Sequence, residues 1–332
     1  IRGAKGRWIF WMDADDTLPP LSGRAILKAA IKADPSVSGF VLPVRFVDEG
    51  PHSGVQVDHV KLFRNLPGLE FEGRIHEQIL PSLRCLMPQG AIARLDAFVL
   101  HSGYDTSPEG QAKKNARDQK LLQLDLDERP GHPFVLFNLG MTAHYSDEHE
   151  EAISWLDKCL AASSQGESHV RKAYALKGIS LRRLSRNEEA VEVFAKGIQE
   201  VGDDPELHFQ LGHLFAEQGR SQEAKEHYLA CLEADSSSAF TSFDRGIQGF
   251  KTMHNLAAVH VSLRDYEGAR NWFLTALQQA PEFLPSAFAL FDSALDVGDR
   301  QTAEVMLAHV VRVAGPGESS EMMRQKLQRL HK

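Results

Sequence analysis

The spacing of apolar and polar positions changes once along this chain, near residue 104. Before that point, short apolar runs alternate with Gly, Pro and Asp. After it, apolar residues recur at helical spacing. "RWIFWMD" (7–13) reads as a buried strand. "PPLSGRAILKAAIKAD" (19–34) reads as a helix, with Ser22 a candidate cap and Pro35 a stop. "GFVLPVRFVD" (39–48) and "VDHVKLFRN" (57–65) read as two strands of a hairpin around a Gly- and Pro-bearing turn. "GRIHEQILPSL" (73–83) reads as a loop or short strand running into a short helix, and "GAIARLDAFVLHSG" (90–103) as a further strand region. Residues 108–128 have helical spacing with polar faces and read as a connecting helix.

Beyond that helix the pattern repeats. Aligned on Ala152, Ala190, Ala224, Ala269 and Ala303, the spacings are 38, 34, 45 and 34 residues. Four residues after each stands a large apolar side chain: Leu156, Phe194, Tyr228, Phe273, Leu307. Seven after stand Cys159, Gly197, Cys231, Ala276 and Val310, and twelve before stand Gly140, Gly178, Gly212, Ala257 and Phe291. Small residues let paired helices approach, and the large residue fills the groove between them. This resembles the helix–turn–helix of tetratricopeptide repeats, whose period is about 34 residues. Pro133, Pro205 and Pro281 fall at repeat boundaries, where a missing N–H costs little. The 45-residue step carries an insertion near "SSSAFTSFDRGIQG" (236–249), and "SSEMMRQKLQRLHK" (319–332) reads as a polar capping helix. The expected fold class is therefore α/β followed by an all-α array of about five repeats. The expected division is 1–104, a connecting helix over 105–131, repeats over 132–314 and a capping helix or tail over 315–332.

Composition narrows the function classes. The chain has 332 residues, is 42% hydrophobic and 25% charged, and so reads as a globular protein. Net charge is −8, concentrated after residue 104, with no broad basic surface of the kind nucleic-acid binding needs. No apolar stretch approaches the roughly 18 residues that span a bilayer, and no signal-peptide pattern opens the chain. Cys85, Cys159 and Cys231 lie far apart, with neither metal nor redox spacing, which points to a reducing, cytoplasmic setting.

The chemistry-bearing stretch is "FWMDADDTL" (10–18), where a strand ends in three aspartates within four positions. The plain reading is a strand-end turn in which Asp15 or Asp16 caps a neighbouring group. "DADDTL" also resembles the first motif of haloacid dehalogenase-like phosphatases, which implies Asp13 as nucleophile and Asp15 as general acid/base. The remaining parts of that site are missing: the acidic candidate "VGDDP" (201–205) falls at a repeat boundary.

"AKGRWIFWMDADDTLPP" (4–20) resembles the centre of family 2, GT-A-fold glycosyltransferases, in which an Asp-x-Asp motif follows a strand. In an extended segment Asp13 and Asp15 project to the same side, and paired carboxylates suit Mg²⁺ or Mn²⁺. The resemblance implies Asp13 near the ribose or sugar of a nucleotide-sugar donor, Asp15 on the metal, and Asp16 orienting either one. "HVKLFRN" (59–65) resembles the family's basic strand end, with Lys61 or Arg64 meeting a diphosphate. "EFEGRIHEQI" (70–79) resembles a Gly-x-Ile-His-Glu motif, with Glu77 as general base and His76 assisting. "VLHSGY" (99–104) resembles a closing strand in which His101 is a third metal ligand or a phosphate contact, and Tyr104 packs. The order of these segments resembles bacterial family 2 transferases with C-terminal tetratricopeptide repeats. It implies inverting transfer from a nucleotide-sugar to a peptide, lipopolysaccharide or other glycan acceptor. The repeats would grip the acceptor or form a homodimer. Family members carry a strand–helix half before the aspartates, so the chain reads as N-terminally truncated and inactive alone. The alternative is a tetratricopeptide protein-binding scaffold with an inactive remnant of the transferase domain.

Overall fold

The computed structural model describes residues 1–46, 54–102, 107–164, 166–234 and 242–329. It divides into two compact units, residues 1–186 with 238–244, and residues 187–237 with 245–332.

The first unit holds a mixed sheet. Its strands are β1 (Trp8–Phe10), β2 (Asp16–Thr17), β3 (Val37–Phe46), β4 (Val55–Arg64), β5 (Ala91–Arg94), β6 (Val99–His101) and β7 (Ser242–Asp244). The order is β1-β4-β3-β6-β2, with β5 also on β3 and β7 also on β4. β3 and β4 form the expected antiparallel hairpin. β5 and β6 both run parallel to β3, one after the other. Pro43 sits in the middle of β3, where a missing N–H would break a ladder. The parallel partners pair with β3 up to Val41 and again from Val44, so Pro43 falls in the gap between them. β1 is shorter than the pattern predicts and only half-buried, because it is an edge strand bonded to β4 alone among the described residues.

Helix α1 (Pro20–Lys32) covers one face of the sheet through Ile26, packed among Phe40, Leu42 and Leu62. Its cap is not Ser22. Pro19 holds that position, and Ser22 is buried one turn inside, where its hydroxyl accepts from the Phe98 amide at 3.1 Å. The other face holds Val41, Val60 and Phe63 against Ile79 and Leu83, the latter on α2 (Leu80–Leu86). α3 (Pro108–Glu128) is capped by Ser107, whose hydroxyl accepts from the Gly110 amide. α4 (Pro133–Tyr145), α5 (His149–Ala162) and α6 (His169–Arg183) complete this unit. A Cβ at Gly140 on α4 would lie 2.7 Å from Leu156 on α5, the close approach read from the repeat pattern.

The second unit contains α7 (Asn187–Val201), α8 (Pro205–Glu217), α9 (Ser221–Glu233), a π-helical turn (Ile247–Lys251), α10 (Thr252–Ser262), α11 (Tyr266–Gln279), α12 (Leu284–Asp296), α13 (Arg300–Ala314) and α14 (Glu318–Arg329). Phe273, Phe291, Met306 and Val310 form its main core, closed by Met323 and Leu327 of α14. The insertion is built from β7, which pairs with Val55–Val57 of β4 in the first unit, and from the π-helical turn. The part of it over 235–241 lies outside the described residues.

The close approach recurs at Gly212, where a Cβ would meet the Tyr228 ring at 2.8 Å. Tyr228 is fully enclosed and cannot yield without moving α9. Gly212→Val is therefore expected to lower the unfolding free energy by about 3 kcal/mol through overpacking, read as a lower urea midpoint. An unchanged midpoint would mean that the two helices separate freely.

Candidate functional site

The aspartates form a closed turn. The Asp16 amide donates to the Asp13 carbonyl at 3.1 Å, and the Asp13 amide donates back to Asp16 Oδ2 at 2.9 Å. The Asp16 side chain is fully enclosed, whereas those of Asp13 and Asp15 are 52% and 41% exposed. Asp16 is thus the centre of the group. Its Oδ2 accepts from Lys61 Nζ at 2.8 Å, and its Oδ1 lies 3.0 Å from His101 Nδ1. Lys61 also reaches Asp13 Oδ2 at 3.4 Å, and His101 Nδ1 lies 3.5 Å from Asp15 Oδ1.

Backbone geometry sets this up. β2 pairs with β6 so that Asp16 stands opposite His101. Between Phe40 and Val41 the β3–β4 register jumps from Leu62 to Val60, which leaves Lys61 as an extra, bulged residue. The bulge turns the Lys61 side chain toward the aspartates. It also explains why Val60 and Leu62, two apart, lie in cores on opposite faces. The Trp11 amide closes the bulge by donating to the Lys61 carbonyl, and its indole N–H donates to the Val60 carbonyl at 2.8 Å. Lys61 Nζ sits 3.6 Å from the Trp11 ring centroid.

The electrostatics follow. Burial by itself would raise the Asp16 carboxyl pKa. Hydrogen bonds from Lys61, the Asp13 amide and His101, with the Lys61 charge, outweigh burial and hold it below the usual carboxylate value. Donor atoms of Asp13, Asp16 and His101 come within 4.8 Å of one another, so a cation would draw on Asp16 where the expectation named Asp15. However, the Lys61 ammonium already lies between Asp13 and Asp16, and both Asp16 oxygens are engaged. As it stands the group does not fit a divalent cation, because a buried ammonium fills the electrostatic role that the ion would have.

The diphosphate contacts expected of Lys61 and Arg64 are not offered either. Lys61 is 1% exposed, and Arg64 spends Nε on the Val37 carbonyl at 2.6 Å and a terminal nitrogen on the Asp34 carbonyl at 2.8 Å. His76 and Glu77 lie apart from the aspartates, on a loop fastened to α3: the Arg74 amide donates to Asp125 at 3.0 Å, and Arg74 pairs with Glu128. His76 takes a left-handed φ of 54°, and burial lowers its pKa. Glu77 is exposed. Tyr104 lies outside the described residues.

That loop forms one wall of a cleft of about 320 Å³ within the first unit. Trp11 and His59 supply the sheet wall, His76 and Glu77 the loop wall, and Phe134, Phe137 and Met141 of α4 with His169 and Lys172 of α6 the helical wall. None of the three aspartates lines it, and Trp11 stands between the two sets of residues. The cleft was not legible in the sequence. Phe134 and Phe137 fall within the helical spacing of the repeats, and only the adjacent apolar pair Leu62 and Phe63 after an alternating run hints at the bulge beside it.

Comparisons with known proteins fall on the helical part. The tetratricopeptide repeat family model matches residues 135–165 and 205–238, and a second tetratricopeptide model matches 251–278. A TPR repeat-containing protein of Synechococcus elongatus is 25% identical over 234 residues, covering 66% of this chain. The match covers 55% of that relative's length. Two solved structures share the fold at a TM-score of 0.50. Pseudomonas aeruginosa pilF is 18% identical and is matched over 65% of this chain and 90% of its own. The C-terminal part of a TPR repeat-containing protein from Cytophaga hutchinsonii is 11% identical over 62% and 77%.

These findings overturn the expectation of a glycosyltransferase. The matched families and relatives are repeat proteins, no GT-A domain is shown, and the nucleotide-sugar and glycan acceptor lose their support with it. The physical reason is local: an Asp-rich strand end, a basic strand and a His-Glu loop look alike in sequence whether they converge on a substrate or are spent on an internal ion pair and a docked loop. Among the described residues no helix is long and apolar enough to cross a membrane. Residues 135–165, 205–238 and 251–278 are tetratricopeptide repeats, and the helical part of this chain has the tetratricopeptide fold.

Proposed function

We propose that this chain is a protein-binding scaffold that takes an extended segment of a partner protein into the cleft between the sheet, the His76 loop and the first repeat. The observation that carries this reading is the cleft itself. Aromatic and apolar side chains (Trp11, Phe134, Phe137 and Met141 among them) share its wall with polar ones (Asp58, His59, His76, Glu77, Asn138 and Lys172 among them). Such a mixture suits burial of a partner's apolar side chain with its backbone held by polar groups. Selection from a random peptide library, followed by fluorescence anisotropy on the full chain, tests it. Peptides retained by the unaltered protein are expected to lose about tenfold or more in affinity on Phe134→Ala with Lys172→Glu. Peptides that bind the double variant equally well would place binding elsewhere and sink the reading.

A second reading concerns the aspartates. The Lys61 ammonium is the resident cation of Asp13 and Asp16, and Asp13, Asp16 and His101 accept Mg²⁺ or Mn²⁺ only once it is withdrawn. Cys159 and Cys231 are buried, and burial pushes both thiols up to about 11, which leaves them unreactive, whereas Cys85 is exposed.

A further inference from the structure

Helix α1 is built the wrong way round for a helix that only covers a sheet. Its inner side carries mostly small residues, Ser22, Ala25, Ala29, Ala30 and Ala33 around Ile26. Its large aliphatics point out: Leu21, Leu27 and Ile31 are 76%, 63% and 66% exposed. At 100° per residue, these three share one arc of the helix with Arg24, Lys28 and Lys32, which are also exposed. The helix has no acidic residue, and none of its three cations enters an ion pair among the described residues. Asp34, just beyond its end, is turned onto the Ser36 amide and hydroxyl at 2.9 and 2.6 Å.

Three aliphatics alone would suit many partners. Three unpaired cations among them, on a chain of net charge −8, select for an anionic one. We propose that this face of α1 docks on an anionic lipid bilayer surface, with Leu21, Leu27 and Ile31 entering the headgroup boundary and Arg24, Lys28 and Lys32 meeting lipid phosphates or carboxylates. The chemistry is that of an interfacial amphipathic helix, in which apolar area and charge each contribute and neither suffices. The sheet behind α1 holds it in place, so the face is helical before it meets the membrane. A face of this kind tethers the protein at a surface and needs no spanning helix.

Co-sedimentation of the full chain with vesicles tests this. Vesicles of phosphatidylcholine with phosphatidylserine are expected to carry the protein down, whereas vesicles of phosphatidylcholine alone leave it in solution. Lys28→Glu with Lys32→Glu is expected to weaken binding about thirtyfold or more. Leu27→Asp with Ile31→Asp is expected to abolish it. All four side chains are exposed, so both variants keep the parent's circular dichroism spectrum. Equal binding to both vesicle types, no binding to either, or binding untouched by both variants overturns the proposal. So does concentration-dependent dimerisation that Leu27→Asp with Ile31→Asp removes while vesicle binding is absent, because the face would then belong to a second copy of this chain.

Discussion

Lys61→Met is expected to lower the unfolding free energy by about 3–5 kcal/mol, the usual cost of removing one partner of a buried ion pair. Asp16 is fully enclosed and loses its closest donor, and the Trp11 ring loses the cation held against its face. The carboxyl that now sits below its ordinary pKa is expected to move above it, since burial then acts with less opposition. Two further variants separate charge from shape. Adding Asp16→Asn to Lys61→Met removes the orphaned charge and is expected to restore most of the stability, whereas Asp13→Asn, at the exposed end of the pair, costs under about 1 kcal/mol. The same variant tests the cation reading. With Lys61 gone, Mn²⁺ should raise the urea midpoint of Lys61→Met well above its effect on the unaltered protein. A Lys61→Met protein as stable as its parent would show that Asp16 is solvated, and an equal Mn²⁺ response in both would show that the lysine does not occupy the cation position.

The repeats were legible because their signal is periodic. Gly140 against Leu156 and Gly212 against Tyr228 are close approaches set by helix geometry, and any sequence that makes them must place a small residue opposite a large one at fixed spacing. The longer strands and helices of the first unit were legible for the same reason, whereas the short strands β2 and β7, too brief to show a period, were not. The aspartate site was legible only as a place. That Asp13, Asp16, Lys61 and His101 meet is a matter of strand order and of one bulged residue, neither of which leaves a regular trace. Asp16, expected only to orient Asp13 or Asp15, is the enclosed carboxylate at the centre of the group: alternation places Asp13 and Asp15 on one side of an extended strand, whereas the chain has already turned at Asp13. The cleft depends on a loop meeting a helix more than fifty positions away, and periodicity says nothing about such contacts.

Acidification is expected to destabilise the first unit well before its carboxylates are titrated. Burial pushes the His59 imidazole down to about 4, with the Lys61 charge adding to the effect. Burial pushes His144 to about 4 as well, with His149, Lys172 and Arg183 nearby. In the unfolded chain both titrate near about 6.5. Above that value neither state binds the proton, and the stability contribution is whole. Between about pH 6.5 and 4 the unfolded chain takes up protons that the folded chain refuses, so stability falls as pH falls, and below about 4 the loss is complete. A tenfold change in proton affinity is worth about 1.36 kcal/mol, so each group carries up to about 3 kcal/mol, less where solvent reaches the ring. His76, His132 and His169 are lowered by burial too and act in the same direction. Asp16 extends the loss into stronger acid, since a depressed carboxyl gives up its stabilisation only below its ordinary pKa. Urea unfolding of a Trp272→Phe protein followed by tryptophan fluorescence reads this unit, because the other three tryptophans, Trp8, Trp11 and Trp155, all lie in it. The midpoint is expected to drop steeply between neutral pH and about pH 5, and His59→Asn with His144→Asn should flatten that drop while leaving the fall in stronger acid. A midpoint independent of pH across the window would mean that water reaches both rings in the folded state, and the cleft beside His59 would then be wider than its walls indicate.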